Sequence, residues 1–250
     1  GRAEYGVGGG IVWDSEEAAE FAECFAKARV LACPFPDFSL LETLLWTPCG
    51  GYFLLERHLT RLRESAEYFD VPVNPADMRG RLEEAARQLP AQPHKIRRLV
   101  PRKGDPSIEC SVLGQGTASV RVALADRPVD PADPFLYHKT TQRTVYEHAR
   151  DSRPDCDDVL LYNPEGELTE SCIANIVVKT NDGLYTPPVR CGLLAGTYRQ
   201  FLLDRGVVRE RPIRIEELGA EETTLYLVNS VRKWRVASAI QGARGDRLYP

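Results

Sequence analysis

Apolar and polar positions alternate along the chain in two rhythms, and the switches between them mark the elements. Ala18, Phe21, Ala22, Phe25, Ala28 and Leu31 recur at helical spacing. Asp14 or Ser15 can cap this helix, Glu16 and Glu17 suit its first turn, and Pro34 and Pro36 close it. Before it, the glycine-rich run Tyr5–Trp13 leads into a short apolar strand. From Phe38 the pattern changes. Leu40–Trp46 and Tyr52–Leu55 read as strands joined by a Pro48–Gly51 turn. Arg57–Phe69 reads as an amphipathic helix, and Pro75–Leu89 as a second one capped by Asn74. Ile96–Val100, Ile108–Leu113 and Ser119–Leu124 read as strands. Pro128, Pro131 and Pro134, interleaved with aspartates, suggest a linker. Beyond it Asp158–Tyr162, Ile173–Lys179, Gly183–Thr186 and Leu225–Asn229 read as strands and Gly196–Arg205 as a helix. The expected organisation is a strand-plus-helix segment over 1–33, a small α+β domain over 37–127, a linker at 128–134 and a large domain over 135–250.

Composition narrows the function classes. Of 250 residues, 43% are apolar and 27% charged, which suits a globular chain. Thirty-two basic against 36 acidic residues give a net charge of -4, so no global basic field points to nucleic acid. No run approaches the roughly 18 apolar residues of a membrane span, and no secretory leader is evident. Seven cysteines without a C-x-x-C spacing argue against a disulfide framework or structural zinc. A cytoplasmic protein with inert thiols and no metal is expected. The chain starts at Gly1 and its one methionine is Met78, as expected of a piece of a longer polypeptide.

Only six residues are lysine, so each can be weighed individually. Lys139 follows the apolar segment Phe135–Tyr137 just after the linker. Gly166–Ile176 then carries Leu168-Thr169-Glu170 and Asn175. Cys191–Arg199 is a glycine-punctuated loop opening a helix, and Val228-Asn229-Ser230-Val231 ends a strand. The ordered set points to a pyridoxal 5'-phosphate site. That cofactor needs a lysine amine for a Schiff base, an acid facing the pyridine nitrogen, helix-start N–H groups for the phosphate and an arginine to grip it. Lys139, Glu170, the Thr197/Tyr198 helix start with Ser230, and Arg61 can fill these places. Singly, each has a bland reading as a solvated side chain or an ordinary cap.

With these motifs the chain from about 37 to 240 resembles the fold type IV pyridoxal phosphate family. That family includes branched-chain and D-amino acid aminotransferases and aminodeoxychorismate lyases. Leu41-Glu42-Thr43-Leu44, Arg57–Leu62 and Ser65-Ala66 match its small-domain motifs. The resemblance implies two α+β domains, a cofactor in the cleft between them, and a homodimer. It implies Lys139 as Schiff-base lysine and proton shuttle, Glu170 opposite the pyridine nitrogen, and Arg61, Thr197, Tyr198 and Ser230 around the phosphate. Thr43 matches a catalytic threonine of the lyases. Arg102, or Arg98 on the same strand face, would hold a substrate carboxylate. Many aminotransferases place a tyrosine a few residues after the lysine. Here Thr144 sits at that offset and Tyr146 two further on, so that role has no occupant.

The first segment resembles the end of a chorismate-utilising enzyme. It carries Gly8-Gly9-Gly10-Ile11-Val12-Trp13-Asp14-Ser15, then Glu20, Glu23 and Lys27. Running straight into a type IV domain, it implies the lyase part of a fused para-aminobenzoate synthase. The substrate would be aminodeoxychorismate, and the products 4-aminobenzoate, for folate synthesis, and pyruvate. The alternatives are an aminotransferase of the same fold and a catalytically silent module.

Overall fold

The computed structural model describes residues 36–241 except 118 and 221, residues 247–249, and scattered positions before residue 36. The chain divides into two units, Gly1–Asp37 and Phe38–Pro250. In the first, Glu17, Ala18, Glu20, Phe21 and Cys24 are helical, and Ser15 Oγ donates to Glu20 Oε1 at 2.7 Å. The rest of the expected helix to Leu31, and the expected strand at Ile11 and Val12, lie outside the described residues.

The second unit holds two sheets. The smaller is antiparallel in the order β2-β1-β3-β4, made of β1 (Ser39–Thr47), β2 (Gly51–Tyr52), β3 (His94–Pro101) and β4 (Ser107–Val112). Helices α1 (Leu55–Tyr68) and α2 (Pro75–Arg87) cover one face. Asn74 caps α2, its side chain accepting the Ala76 and Asp77 N–H groups, with Pro75 at the first helical position. β2 is shorter than expected. Leu54 takes a left-handed backbone (φ 57°), which ends the strand and starts α1 at Leu55. Successive strand residues point to opposite faces. Leu40, Leu44, Ile96 and Val100 therefore pack under Leu62, Ala66, Met78 and Leu82. Leu41, Thr43, Lys95 and Arg97 face the other way.

The larger sheet holds β5 (Ser119–Leu124), β6 (Asp158–Tyr162), β7 (Leu168–Ser171), β8 (Asn175–Thr180), β9 (Gly183–Thr186), β10 (Arg209–Glu210), β11 (Thr224–Asn229), β12 (Lys233–Gln241) and β13 (Arg247–Tyr249). Its order is β10-β9-β8-β11-β12-β5-β6-β7, with β13 on β12. β7 also pairs with β8, through Glu170 opposite Asn175. Six strands, β8-β11-β12-β5-β6-β7, thus close into a ring. Val122, Leu160, Leu168, Ile176 and Leu227 fill it, all at 0% exposure. Helix α3 (Thr144–Asp151) covers β6, and helix α4 (Thr197–Asp204) covers β8 and β11. Ser119–Leu124, expected in the small domain, is a ring strand, because it pairs in parallel with β6 and β12. The chain therefore crosses between sheets before the prolines. The expected linker at 128–134 is anchored to the ring: Val129 N–H donates to Tyr162 O at 2.8 Å, and Tyr137 Oη to Pro131 O at 2.7 Å.

Ile176 is fully buried in the ring filling. Ile176→Ala should lower the unfolding free energy by about 2–5 kcal/mol, read from the urea midpoint. A loss under about 1 kcal/mol would contradict a close-packed ring.

Candidate functional site

A cavity of about 520 Å³ lies between the free face of the small sheet and the outer face of the ring. The segment that brings Lys139 into it is held by β1. Leu41 N–H donates to Lys139 O at 2.9 Å, Thr141 N–H to Ser39 O at 2.9 Å, and Ser39 N–H to Thr141 Oγ1 at 2.9 Å. His138 is fixed on α1, hydrogen-bonded to Ser65 Oγ at 3.0 Å and stacked on Tyr68. With the backbone fixed on both sides, the Lys139 side chain projects into the cavity. Burial, and then the charges of Arg61 and Arg143, push its amine down to about 8 against the pull of Glu42 and Glu170. The free-base share near neutral pH is therefore far larger than that of an exposed lysine.

Glu170 reaches the same cavity through a bulge. β6 spans two residues from Leu160 to Tyr162 while β7 spans three from Ser171 back to Leu168, so β7 carries one extra residue. Leu168 and Ser171 both face inward, and Glu170 turns outward. Its Oε1 accepts Tyr146 Oη at 2.8 Å and Leu194 N–H at 3.2 Å, and its Oε2 accepts Asn175 Nδ2 at 3.1 Å. Burial still pushes the carboxyl up to about 7, with those bonds and the Lys139 charge pulling the other way. Asn175 also donates to Leu194 O at 2.8 Å. Its position requires glycine at 196, because a Cβ there would lie 1.8 Å from Asn175 Oδ1.

Arg61 enters from α1, with Nε on Glu42 Oε1 at 2.9 Å, Nη2 on Glu42 Oε2 at 2.8 Å and Nη1 on Ala195 O at 3.4 Å. Thr197 and Tyr198 open α4, where no side chain caps the first N–H groups. Those donors face an anion site by geometry and by dipole. Ser230 lies across the cavity, Oγ donating to Thr43 O at 3.4 Å. Lys139, Glu170, Arg61, Thr197, Tyr198, Ser230 and Thr43 all line this one cavity.

Arg98 and Arg102 do not. Arg98 shares strand parity with Ile96 and Val100, so it is buried on the helix side and donates to Met78 O at 3.1 Å. Arg102 follows the end of β3, is exposed and lies away from the cavity. The residues that face the cavity are Lys95 and Arg97, one position out of phase. Tyr146, left without a role in the sequence, is buried against Glu170. Burial, and then that carboxyl, hold its phenol well above 10, so it remains a donor. The offset from Lys139 hid it, because α3 intervenes. Arg143 lies over the Tyr146 ring at 4.3 Å and donates to Cys172 O. The cavity lining holds Arg61, Lys95, Arg97, Lys139, Arg143, Arg232 and Arg235 against one acid, Glu170. Arg97 pairs with Glu109 at 2.9 Å, and Arg232 donates to Gly114 O at 2.6 Å. Arg235 Nη2 is buried and has no hydrogen-bond partner among the described residues. Such a lining suits a ligand with several anionic groups. Among the described residues no cluster of His, Cys, Asp or Glu could hold a metal, and no helix is long and apolar enough to cross a membrane.

A family model described as amino-transferase class IV matches residues 39–240. The chain belongs to that family. A second model, for chorismate binding enzymes, matches residues 1–32, where the sequence resembles the end of such an enzyme. A Schizosaccharomyces pombe protein described as "Putative aminodeoxychorismate lyase" is 29% identical over 209 residues, covering 79% of this chain and 87% of the relative. A Methanocaldococcus jannaschii protein described as "Putative branched-chain-amino-acid aminotransferase" is 27% identical, covering 68% and 67%. The structure of a "Putative amino-acid aminotransferase" from Mesorhizobium loti superposes with TM-score 0.75 at 30% identity, over 82% of this chain and all of that one. A hypothetical aminotransferase from Mycobacterium tuberculosis, solved in its PLP-bound form, gives TM-score 0.70 at 25% identity, over 84% and 82%. The fold is that of the type IV enzymes.

The depressed Lys139 amine has a direct check. Competitive labelling with a small anhydride, read by peptide mass spectrometry, should show reactivity at residue 139 rising with pH through an inflection near 8. Arg143→Gln, which removes a repelling charge, should move the inflection upward. An inflection near 10.5 in the unaltered chain would contradict the buried, cation-flanked setting.

Proposed function

We propose that this chain is a pyridoxal phosphate-dependent lyase that converts 4-amino-4-deoxychorismate to 4-aminobenzoate and pyruvate. The observation that carries the choice is the chorismate-enzyme segment at residues 1–32, running directly into the class IV match. The S. pombe relative supports it, as does the cation-rich cavity, since the substrate bears two carboxylates.

The residues present fit the cofactor. A lysine with a depressed amine, a buried carboxyl and an uncapped helix start converge on one cavity. Bound there, pyridoxal phosphate supplies an electron sink for the pair left when a proton departs. Nζ of Lys139 anchors the cofactor and takes the proton from the amine-bearing ring carbon. Its value of about 8 suits a base working near neutrality. Glu170 keeps the pyridine nitrogen protonated. Three donors fix the carboxylate, and Oε2 retains a free lone pair for the nitrogen. Arg61, the N–H groups of Thr197 and Tyr198, and Ser230 receive the phosphate. Thr43, on the small sheet, faces the reacting ring. Arg97, Lys95 and Arg235 take over the carboxylate-holding role expected of Arg98 and Arg102. Departure of the enolpyruvyl group with its oxygen leaves the ring aromatic, and a proton on that fragment completes pyruvate.

The aminotransferase-named relatives keep amino transfer as a second reading. Feeding aminodeoxychorismate separates them. Stoichiometric 4-aminobenzoate and pyruvate without any keto acid added is the expected result. Lys139→Ala should abolish turnover, and Glu170→Ala should lower it by roughly two orders of magnitude or more. Product formation only as a half reaction with an amino acid and a keto acid would establish the transferase instead. An unchanged rate in either variant would remove the assigned roles.

A further inference from the structure

Behind Arg61 lies a buried polar chain that needs a reason to exist. Glu42 sits on β1 at 2% exposure and His58 on α1 at 1%, both on the apolar side of the small sheet. A carboxylate there is costly unless fully bonded. Glu42 takes His58 Nδ1 at 2.6 Å and both Nε and Nη2 of Arg61. Burial alone would raise its carboxyl, but Arg61 and His58 hold it down to about 2. Burial pulls His58 below its ordinary range against the opposing pull of Glu42 and with the Arg61 and Lys139 charges. The ring is then neutral, and with its proton on Nδ1 facing Glu42, Nε2 is left as an acceptor. That nitrogen lies 3.3 Å from Thr197 Oγ1. The chain thus runs from the small sheet to the first residue of α4, and it fixes Arg61 and Thr197 from one carboxylate.

We propose that Glu42 and His58 are positioning residues that set Arg61 and the start of α4 for a phosphate monoester before one arrives. Glu42 takes two nitrogens of Arg61 and so fixes which edge of the guanidinium is left to the cavity. His58 accepts the Thr197 hydroxyl, fixes that rotamer and leaves the backbone N–H groups of Thr197 and Tyr198 as the phosphate donors. Neither residue lines the cavity, so both act through their neighbours. The proposal rests on the reading of the cavity as a pyridoxal phosphate site.

Equilibrium binding to the full chain, followed by absorbance, separates the phosphate from the ring. The probes are pyridoxal phosphate and pyridoxal, which lacks the phosphate. His58→Asn keeps an amide near Glu42 but cannot reach Thr197. It should weaken pyridoxal phosphate binding about tenfold or more and change pyridoxal binding less than about twofold. His58→Gln, whose amide reaches the Nε2 position, should restore most of the loss. Thr197→Val tests the same link from its other end and should show the same phosphate-selective loss, should the His58 variants fail to fold. Equal weakening of both probes, or no weakening, would overturn the positioning role while leaving the cofactor site intact. No binding of pyridoxal phosphate to the unaltered chain would overturn the cofactor reading, and the proposal with it.

Discussion

Glu170 and Asn175 face each other across the one residue pair that joins β7 to β8, and this pair both closes the ring and builds the site. A closed ring leaves no unpaired edge between these strands and holds its apolar filling on all sides. The extra residue in β7 turns Glu170 out of that filling at the place where the ring closes. At 4% exposure the carboxyl is held out of water there. Burial there pushes its pKa up to about 7. Tyr146, Leu194 and Asn175 offset part of the cost of that burial with hydrogen bonds and aim the group. Gly196 is small because Asn175 must pass close to its backbone.

The opposite wall depends on a different attachment. Lys139 belongs to the chain that leads into the ring, yet its backbone is hydrogen-bonded to β1 of the small sheet. The two sheets are thereby linked at the residue that carries the reactive amine. The amine and the carboxyl shift toward each other, one down to about 8 and the other up to about 7, by the same withdrawal from water. A ligand carrying a phosphate and a protonated ring nitrogen suits both ends of the cavity, because it brings an anion to Arg61 and a cationic N–H donor to Glu170.

Much of this was legible in the chain. The helical spacing from Arg57 to Phe69 and the Asn74-Pro75 start located α1 and α2, since caps and amphipathic periods are local signals. The ordered motifs around Lys139, Glu170, Thr197 and Ser230 named the residues that the fold gathers. What escaped was non-local. The β7 bulge and the Glu170–Asn175 closure are matters of pairing, which periodicity cannot express. Strand phase on β3 was misjudged by one residue, and in a sheet that error moves a side chain to the other face. Arg98 therefore went to the core while Lys95 and Arg97 took the cavity. Tyr146 was hidden because a turn of α3, not sequence offset, brings it beside Glu170. Ser119–Leu124 was read into the small domain because its parallel ring partners, β6 and β12, lie far along the chain.

The central claim is that this cavity holds pyridoxal phosphate on Lys139. The most direct measurement is the visible absorption spectrum of the purified chain with added cofactor, before and after borohydride, followed by peptide mapping. The account expects a band that reduction removes and a pyridoxyl label on Lys139 alone. No band, or a label spread over Lys95, Lys179 and Lys233, would contradict it.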